Sequence, residues 1–182
     1  MRWIWILAFG LLSLPGCIPA NERVPPERLR ISAADAAKEA RTVAAGWTPD
    51  ATLWYVEGEG VTPDGYVLPE SGQWRLVYEA PGRADQLVVV VTPRTVDQAV
   101  RPRQPPPGFT PDRTALPEDW IDSPQALAAA RAASAEAILT GPQPALSLLL
   151  APLRPPQWVI RAAVGDQVHE WRVDARSGAV LP

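Results

Sequence analysis

A single histidine limits the chemistry this chain can perform. His169 is the only one in 182 residues, so no Ser-His-Asp triad, no Cys-His pair and no multi-histidine metal site can be assembled within the chain. Cys17 is likewise the only cysteine, and stability must come from burial without internal disulfides. Glu57, Glu59, Asp64 and Glu70 offer oxygen donors that suit a hard cation, but their spacing matches no EF-hand loop, and a solvated acidic segment accounts for them. Nothing in the sequence sets two carboxylates across a cleft at the ~5–10 Å that glycoside hydrolysis needs. The expectation is a non-enzymatic protein with no catalytic residues, no metal site and no cofactor. The net charge of −3, without a basic run, sets nucleic acid aside as a partner.

Recognition residues are better represented. Beyond Cys17 the chain holds Trp47, Trp54, Trp74, Trp120, Trp158 and Trp171. Trp74, Trp158 and Trp171 head or centre apolar strand faces and read as core. Trp47 and Trp120 flank helices, and with His169 they are the candidate binding residues. The plainer alternative is packing over a helix end for the two tryptophans and an edge or packing role for the histidine.

Those residues need elements to hold them. Residues 157 to 182 read as a hairpin, with Trp158, Ile160, Ala162 and Val164 on one face, a turn at Gly165-Asp166, and a return strand whose His169, Trp171 and Val173 share a face. Ser32 is a candidate N-cap, with Asp35 three residues on, for a helix that Gly46 would stop. A second helix is expected from Ser123 as N-cap and Pro124 at its first position, with Glu118, Asp119 and Asp122 near its positive end. Leu127, Ala130, Ser134, Ala137 and Ile138 would form its packing stripe, and Gly141-Pro142 its stop. Ala51 to Val56 has strand composition, Glu57 to Gly72 reads as a loop, and Trp74, Leu76, Tyr78 and Ala80 alternate on one face. Leu87 to Val91 reads as a central strand covered on both sides.

The order helix, strand, hairpin recurs. Ile31 to Arg41 aligns with Ile121 to Arg131, Gln73-Trp74 aligns with Gln157-Trp158, and a proline-rich segment separates the halves. The predicted organisation is a tether over 17–30, a first unit over 31–100, a linker over 101–118 and a second unit over 119–182.

Glu170 to Leu181, EWRVDARSGAVL, resembles the D-A-x-[TS]-G-x-V ending of PepSY domains. In the first half Pro93 replaces the alanine and no glycine follows Thr95, so that copy departs from the pattern. The resemblance implies an α+β fold of two PepSY-like units, each one helix packed on a small antiparallel β-sheet. It also implies contact with peptidases or other secreted proteins, and it supplies no catalytic residues. Residues 1–16, a basic start and an apolar run ending in Leu14-Pro15-Gly16 before Cys17, resemble a bacterial lipoprotein signal, which implies lipidation at Cys17. Ile18 after the cysteine, in place of aspartate, implies the outer membrane, facing the periplasm. The functional expectation is an envelope lipoprotein that acts as a protein- or peptide-binding regulatory module, through an exposed sheet edge that accepts a strand. The alternatives are a structural accessory of an outer-membrane assembly and an envelope hydrolase using His169 or Asp174.

Overall fold

Strands and two capped helices make up the structure, a computed structural model that describes residues 29–105, 115–135 and 145–182. Cys17, the signal segment, most of the tether, the middle of the proline-rich segment, Ala137, Ile138 and the Gly141-Pro142 stop lie outside the described residues. In chain order the elements are α1 (Ala33–Trp47), β1 (Thr52–Val61), β2 (Gln73–Glu79), β3 (Asp85–Val91), β4 (Val96–Pro102), α2 (Ser123–Ala130), β5 (Ala145–Ala151), β6 (Gln157–Val164), β7 (Gln167–Asp174) and β8 (Val180–Leu181). A single wide turn, Arg131–Ala135, continues α2.

All eight strands belong to one antiparallel sheet in the order β4-β3-β2-β1-β5-β6-β7-β8. This overturns the expectation of two PepSY-like units, each with a helix on its own small sheet. The halves merge where β1 pairs with β5, setting Val56 opposite Leu150, Gly58 opposite Leu148 and Val61 opposite Leu146. Kept apart, both strands would be edges with unpaired backbone beside exposed leucine and valine. Pairing them satisfies that backbone and closes two apolar faces into one. The supposed loop from Glu57 is also corrected, because β1 continues to Val61 and Glu57 pairs with Arg75 of β2. The alternating acids and glycines there disguise a strand with one solvated face. β4, which crosses the expected boundary between the first unit and the linker at 100–101, is the outermost described strand on its side.

One face of the sheet carries the main core. Val56, Leu76, Val89, Leu148 and Ile160 meet the alanines of α1 and Leu127 of α2. The opposite face has a smaller cluster that includes Trp54, Tyr55, Val77, Leu149 and Val159. A register shift between Leu53 and Tyr55 inserts Trp54 as an extra residue, so the two aromatic rings share that face, edge to face at 5.3 Å.

The helix starts tie the halves together. Ser32 and Asp35 form the expected capping box, and α1 runs one residue past Gly46 to Trp47. For α2 the N-cap is Asp122, not Ser123. The Ser123 hydroxyl is engaged elsewhere: it accepts the Ala33 N–H at 3.0 Å and donates to the Gly65 carbonyl at 2.8 Å. Asp122 Oδ1 accepts both the Ser123 N–H at 2.7 Å and the Ala34 N–H at 2.9 Å. One carboxylate therefore faces the positive ends of both helices. The strand tryptophans mark the same join. Trp74 Nε1 donates to the Ile31 carbonyl at 3.0 Å, Trp158 Nε1 donates to the Ile121 carbonyl at 2.8 Å, and the two rings meet edge to face at 6.5 Å.

Candidate interaction surface

The β6–β7 hairpin projects from the C-terminal half because Gly165-Asp166 closes it with a two-residue turn, Val164 pairing with Gln167. Gly165 has φ +60°, which the tight turn demands and glycine adopts without a Cβ clash. Beyond Val173 the chain turns again. Asp174 Oδ1 accepts the N–H groups of Arg176 and Ser177 at 2.9 and 2.7 Å and the Ser177 hydroxyl at 2.9 Å. The Ser177 N–H, then the Arg176 N–H, hold the Asp174 carboxyl below its ordinary range. Gly178, at φ +75°, returns its N–H to the Asp174 carbonyl, and buried Ala175 donates to the Pro156 carbonyl at 2.8 Å. The D-A-R-S-G segment is thus a hydrogen-bonded corner that starts β8.

β8 is only two residues long, and it covers only part of the outer edge of β7. The Asp174 N–H donates outward to Ala179, so by alternation Val168, Glu170 and Arg172 also present their backbone outward. Arg172 is opposite Leu181 in β8. Val168 and Glu170 lie beyond it, with no described strand beside them. Val168 is 70% exposed, the most exposed large apolar side chain described. Glu170 is held by Arg161 Nε at 2.9 Å and Arg172 Nη2 at 3.0 Å. Burial, the largest single influence on Glu170, raises its pKa; hydrogen bonds and charge from Arg161 and Arg172 together outweigh it, and the carboxyl lies below its ordinary range. The edge therefore offers backbone donors and acceptors beside an apolar side chain, with its nearest charges already paired.

The sequence-derived binding residues are not brought together. His169 stacks on Trp171, centroids 6.1 Å apart, on the helix side of β7. Trp120 lies edge-on to Trp158 at 5.9 Å and packs against the core. Trp47 is half-buried at the end of α1 under the Arg83 guanidinium, 4.6 Å above its ring. Sequence reasoning missed Tyr78, which lines a cavity of about 410 Å³ with Ala37, Arg41, Leu53 and Trp120. Burial raises its hydroxyl pKa to about 12, against a lowering influence from Arg41. Its place in the Trp74, Leu76, Tyr78 alternation was the available signal. The acidic residues considered for calcium are dispersed: Glu57 and Glu59 lie 3.2 and 3.7 Å from Arg75, Glu70 lies 2.9 Å from Arg94, and Asp64 accepts from the Thr62 hydroxyl. Among the described residues no group of three or more His, Cys, Asp or Glu side chains could hold a metal ion.

With this geometry the chain is similar in structure to a crystal structure of a "putative lipoprotein" from Clostridium difficile 630. The TM-score is 0.51 at 13% identity, over 81% of this chain and 90% of that one. The likeness is one of fold. No protein-family model matches the sequence, and no curated protein matches it. The PepSY resemblance accordingly has no support beyond residues 170–181 themselves. Among the described residues no helix is long and apolar enough to cross a membrane.

Proposed function

We propose that the protein is a non-enzymatic, lipid-anchored component of the cell envelope that holds an extended segment of another protein against the outer edge of β7. The observation that carries this reading is the short β8, which leaves the Val168 and Glu170 backbone open beside an exposed valine. A strand added there continues the line of β8 and gains backbone hydrogen bonds, with Val168 supplying apolar contact. Anchoring rests on Leu14-Pro15-Gly16-Cys17 and agrees with the description of the structural neighbour as a lipoprotein. Outer-membrane placement facing the periplasm rests on Ile18, and a secreted peptidase as the partner rests on the residue 170–181 resemblance alone.

The test compares full-length protein with Val168→Pro in capture from native membranes. The Val168 N–H points away from β6, so proline there removes an outward donor and leaves the hairpin ladder intact. A defined partner lost with Val168→Pro and kept with Gln98→Pro on the other edge supports the reading. The same proteins retained by all three overturn it. Loss of membrane association in Cys17→Ser checks the anchor separately.

A further inference from the structure

The opposite edge of the sheet has a different character. β4 lies at the end of the strand order and is exposed along its length, with only Ala99 half-buried. The Thr95 carbonyl accepts from Thr92, and the Arg103 N–H donates to the Ala84 carbonyl, both toward β3. By alternation Asp97, Ala99 and Arg101 direct their backbone inward, and Val96, Gln98, Val100 and Pro102 direct theirs outward. Three residues therefore offer both donor and acceptor to a further strand, and Pro102 offers a carbonyl only. Val96 and Val100, 41% and 51% exposed, lie on the helix side. There Val100 and Gln98 border a groove of about 620 Å³ with Val43, Gly46 and Trp47 of α1. On the other side lie Asp97 and Arg101, of opposite charge and equally spaced about Ala99. Asp97 accepts from the Thr95 hydroxyl, and among the described residues no salt bridge involves Arg101.

That spacing is self-complementary. An antiparallel pairing of two β4 strands about a twofold axis at Ala99 puts Asp97 of each copy opposite Arg101 of the other, Gln98 opposite Val100, and Val96 opposite Pro102. Gln98 and Val100 then exchange backbone hydrogen bonds in both directions, and the Pro102 carbonyl accepts from Val96. The alternatives are worse. An axis at Gln98 sets Asp97 against Ala99 and Arg101 against Thr95. An axis at Val100 leaves Arg101 against Ala99, sets Asp97 against an Arg103 already engaged by Glu79 and the Ala80 carbonyl, and moves the missing proline N–H one pair nearer the axis, opposite Gln98. Axes at Asp97 or Arg101 oppose like charges, which costs stability. Only the Ala99 axis joins both opposite-charge pairs and keeps the ladder. It also brings Gln98 of one copy beside the exposed Val100 of the other, over the groove beside Trp47.

From these observations we infer that a second copy of this chain pairs with β4 in the Ala99-centred register, joining two sheets edge to edge into a twofold dimer. The β7 edge is left open, so this pairing is independent of the partner proposed there.

The test is sedimentation of the full-length protein in density-matched detergent. The expected result is a concentration-dependent dimer. Arg101→Asp replaces two attractions with two repulsions and should weaken it by about tenfold or more. The charge exchange D97R/R101D should restore it, which a general loss of fold would not do. Crosslinking reads the register: Ala99 meets its own copy in a non-hydrogen-bonded pair with Cα atoms about 4.5 Å apart, within the ~4.4–6.8 Å of a disulfide. Ala99→Cys should therefore crosslink on oxidation, and Asp97→Cys and the parent protein should not. A monomer at all concentrations, a dimer indifferent to Arg101→Asp, or equal crosslinking at 97 and 99 overturns the inference. None of these outcomes bears on capture by β7.

Discussion

The two halves share one order of elements, a helix followed by four strands, and cover them unequally. In the N-terminal half α1 spans 15 residues and lays Ala33, Ala36, Ala37, Ala40 and Ala44 against the sheet. Alanine lets the helix axis approach closely, and β3 beneath is buried on both faces. In the C-terminal half α2 has 8 residues, and β7 is buried only at Val173. The half whose corner is easier to read in sequence is thus the one with less cover. A signature such as D-A-x-S-G records hydrogen bonds within a few residues. Burial depends on what crosses over the strand, and the signature carries no information about that.

The largest expected effect tests whether unequal halves still fold as one. Trp74 and Trp158 are both fully buried and donate through their indoles in the same way. Replacing either by alanine should cost about 3–5 kcal/mol. Because β1 and β5 are paired, each variant should unfold in one calorimetric transition at a lower Tm. Two transitions in Trp158→Ala, one at the parental temperature, would show that the N-terminal half stands by itself and that the β1–β5 join contributes little.

Next in size is the shared cap. Ser32→Ala removes a cap from α1 and should cost about 1 kcal/mol. Asp122→Ala removes an acceptor from the first turns of both helices and should cost more, towards about 2 kcal/mol. Urea titration of the two variants separates the cases. Equal losses would mean that the bond from Ala34 to Asp122 adds nothing to stability.

What could be read from sequence divides along the same line. The Ser32–Asp35 box, the Gly165 turn and the Trp74, Leu76, Tyr78 face were legible because each is fixed by residues within a few positions. At α2 the local signal was ambiguous, since Asp122 and Ser123 both cap well, and a bond from a distant segment, Ala33 to Ser123, decided between them. The single sheet was illegible for a related reason. Both β1 and β5 are adequate edge or central strands by composition, and only their mutual pairing, between segments far apart in the chain, makes them central. The candidate surface was partly legible. The C-terminal hairpin edge was expected from alternation, but the shortness of β8 and the openness of β4 depend on sheet order. Trp47, Trp120 and His169 were singled out by residue type, which says nothing of whether they converge.

Smaller effects should appear in acid, with opposite signs at Asp174 and Glu57. Asp174, in the C-terminal half, has a pKa below its ordinary 3.8 because backbone N–H groups favour the carboxylate. A carboxyl depressed in the folded state stabilises at higher pH, and that contribution is lost as pH falls through the folded pKa. Asp174→Asn should therefore lower Tm at pH 7 and match the parent in strong acid. A constant difference between the two curves at all pH values would show that the corner does not depend on the charge.

Glu57, in the N-terminal half, should behave in the opposite sense and produce the smallest change. Burial, its largest influence, raises its pKa above the ordinary 4.5; Arg75 lowers it, and the Glu59 charge raises it again. The charged form is then disfavoured by folding, so the parent gains stability as pH falls through the raised pKa. Glu57→Gln removes that cost along with the nearer of two carboxylate partners of Arg75, and the two should nearly cancel at neutral pH, to within about 0.5 kcal/mol. The informative reading is the slope of Tm against pH just above 4.5. The parent should rise on acidification relative to Glu57→Gln, whereas it should fall relative to Asp174→Asn below 3.8. If both variants tilt the curve the same way, burial on the helix-free face is not what governs Glu57, and its ion pair with Arg75 outweighs desolvation.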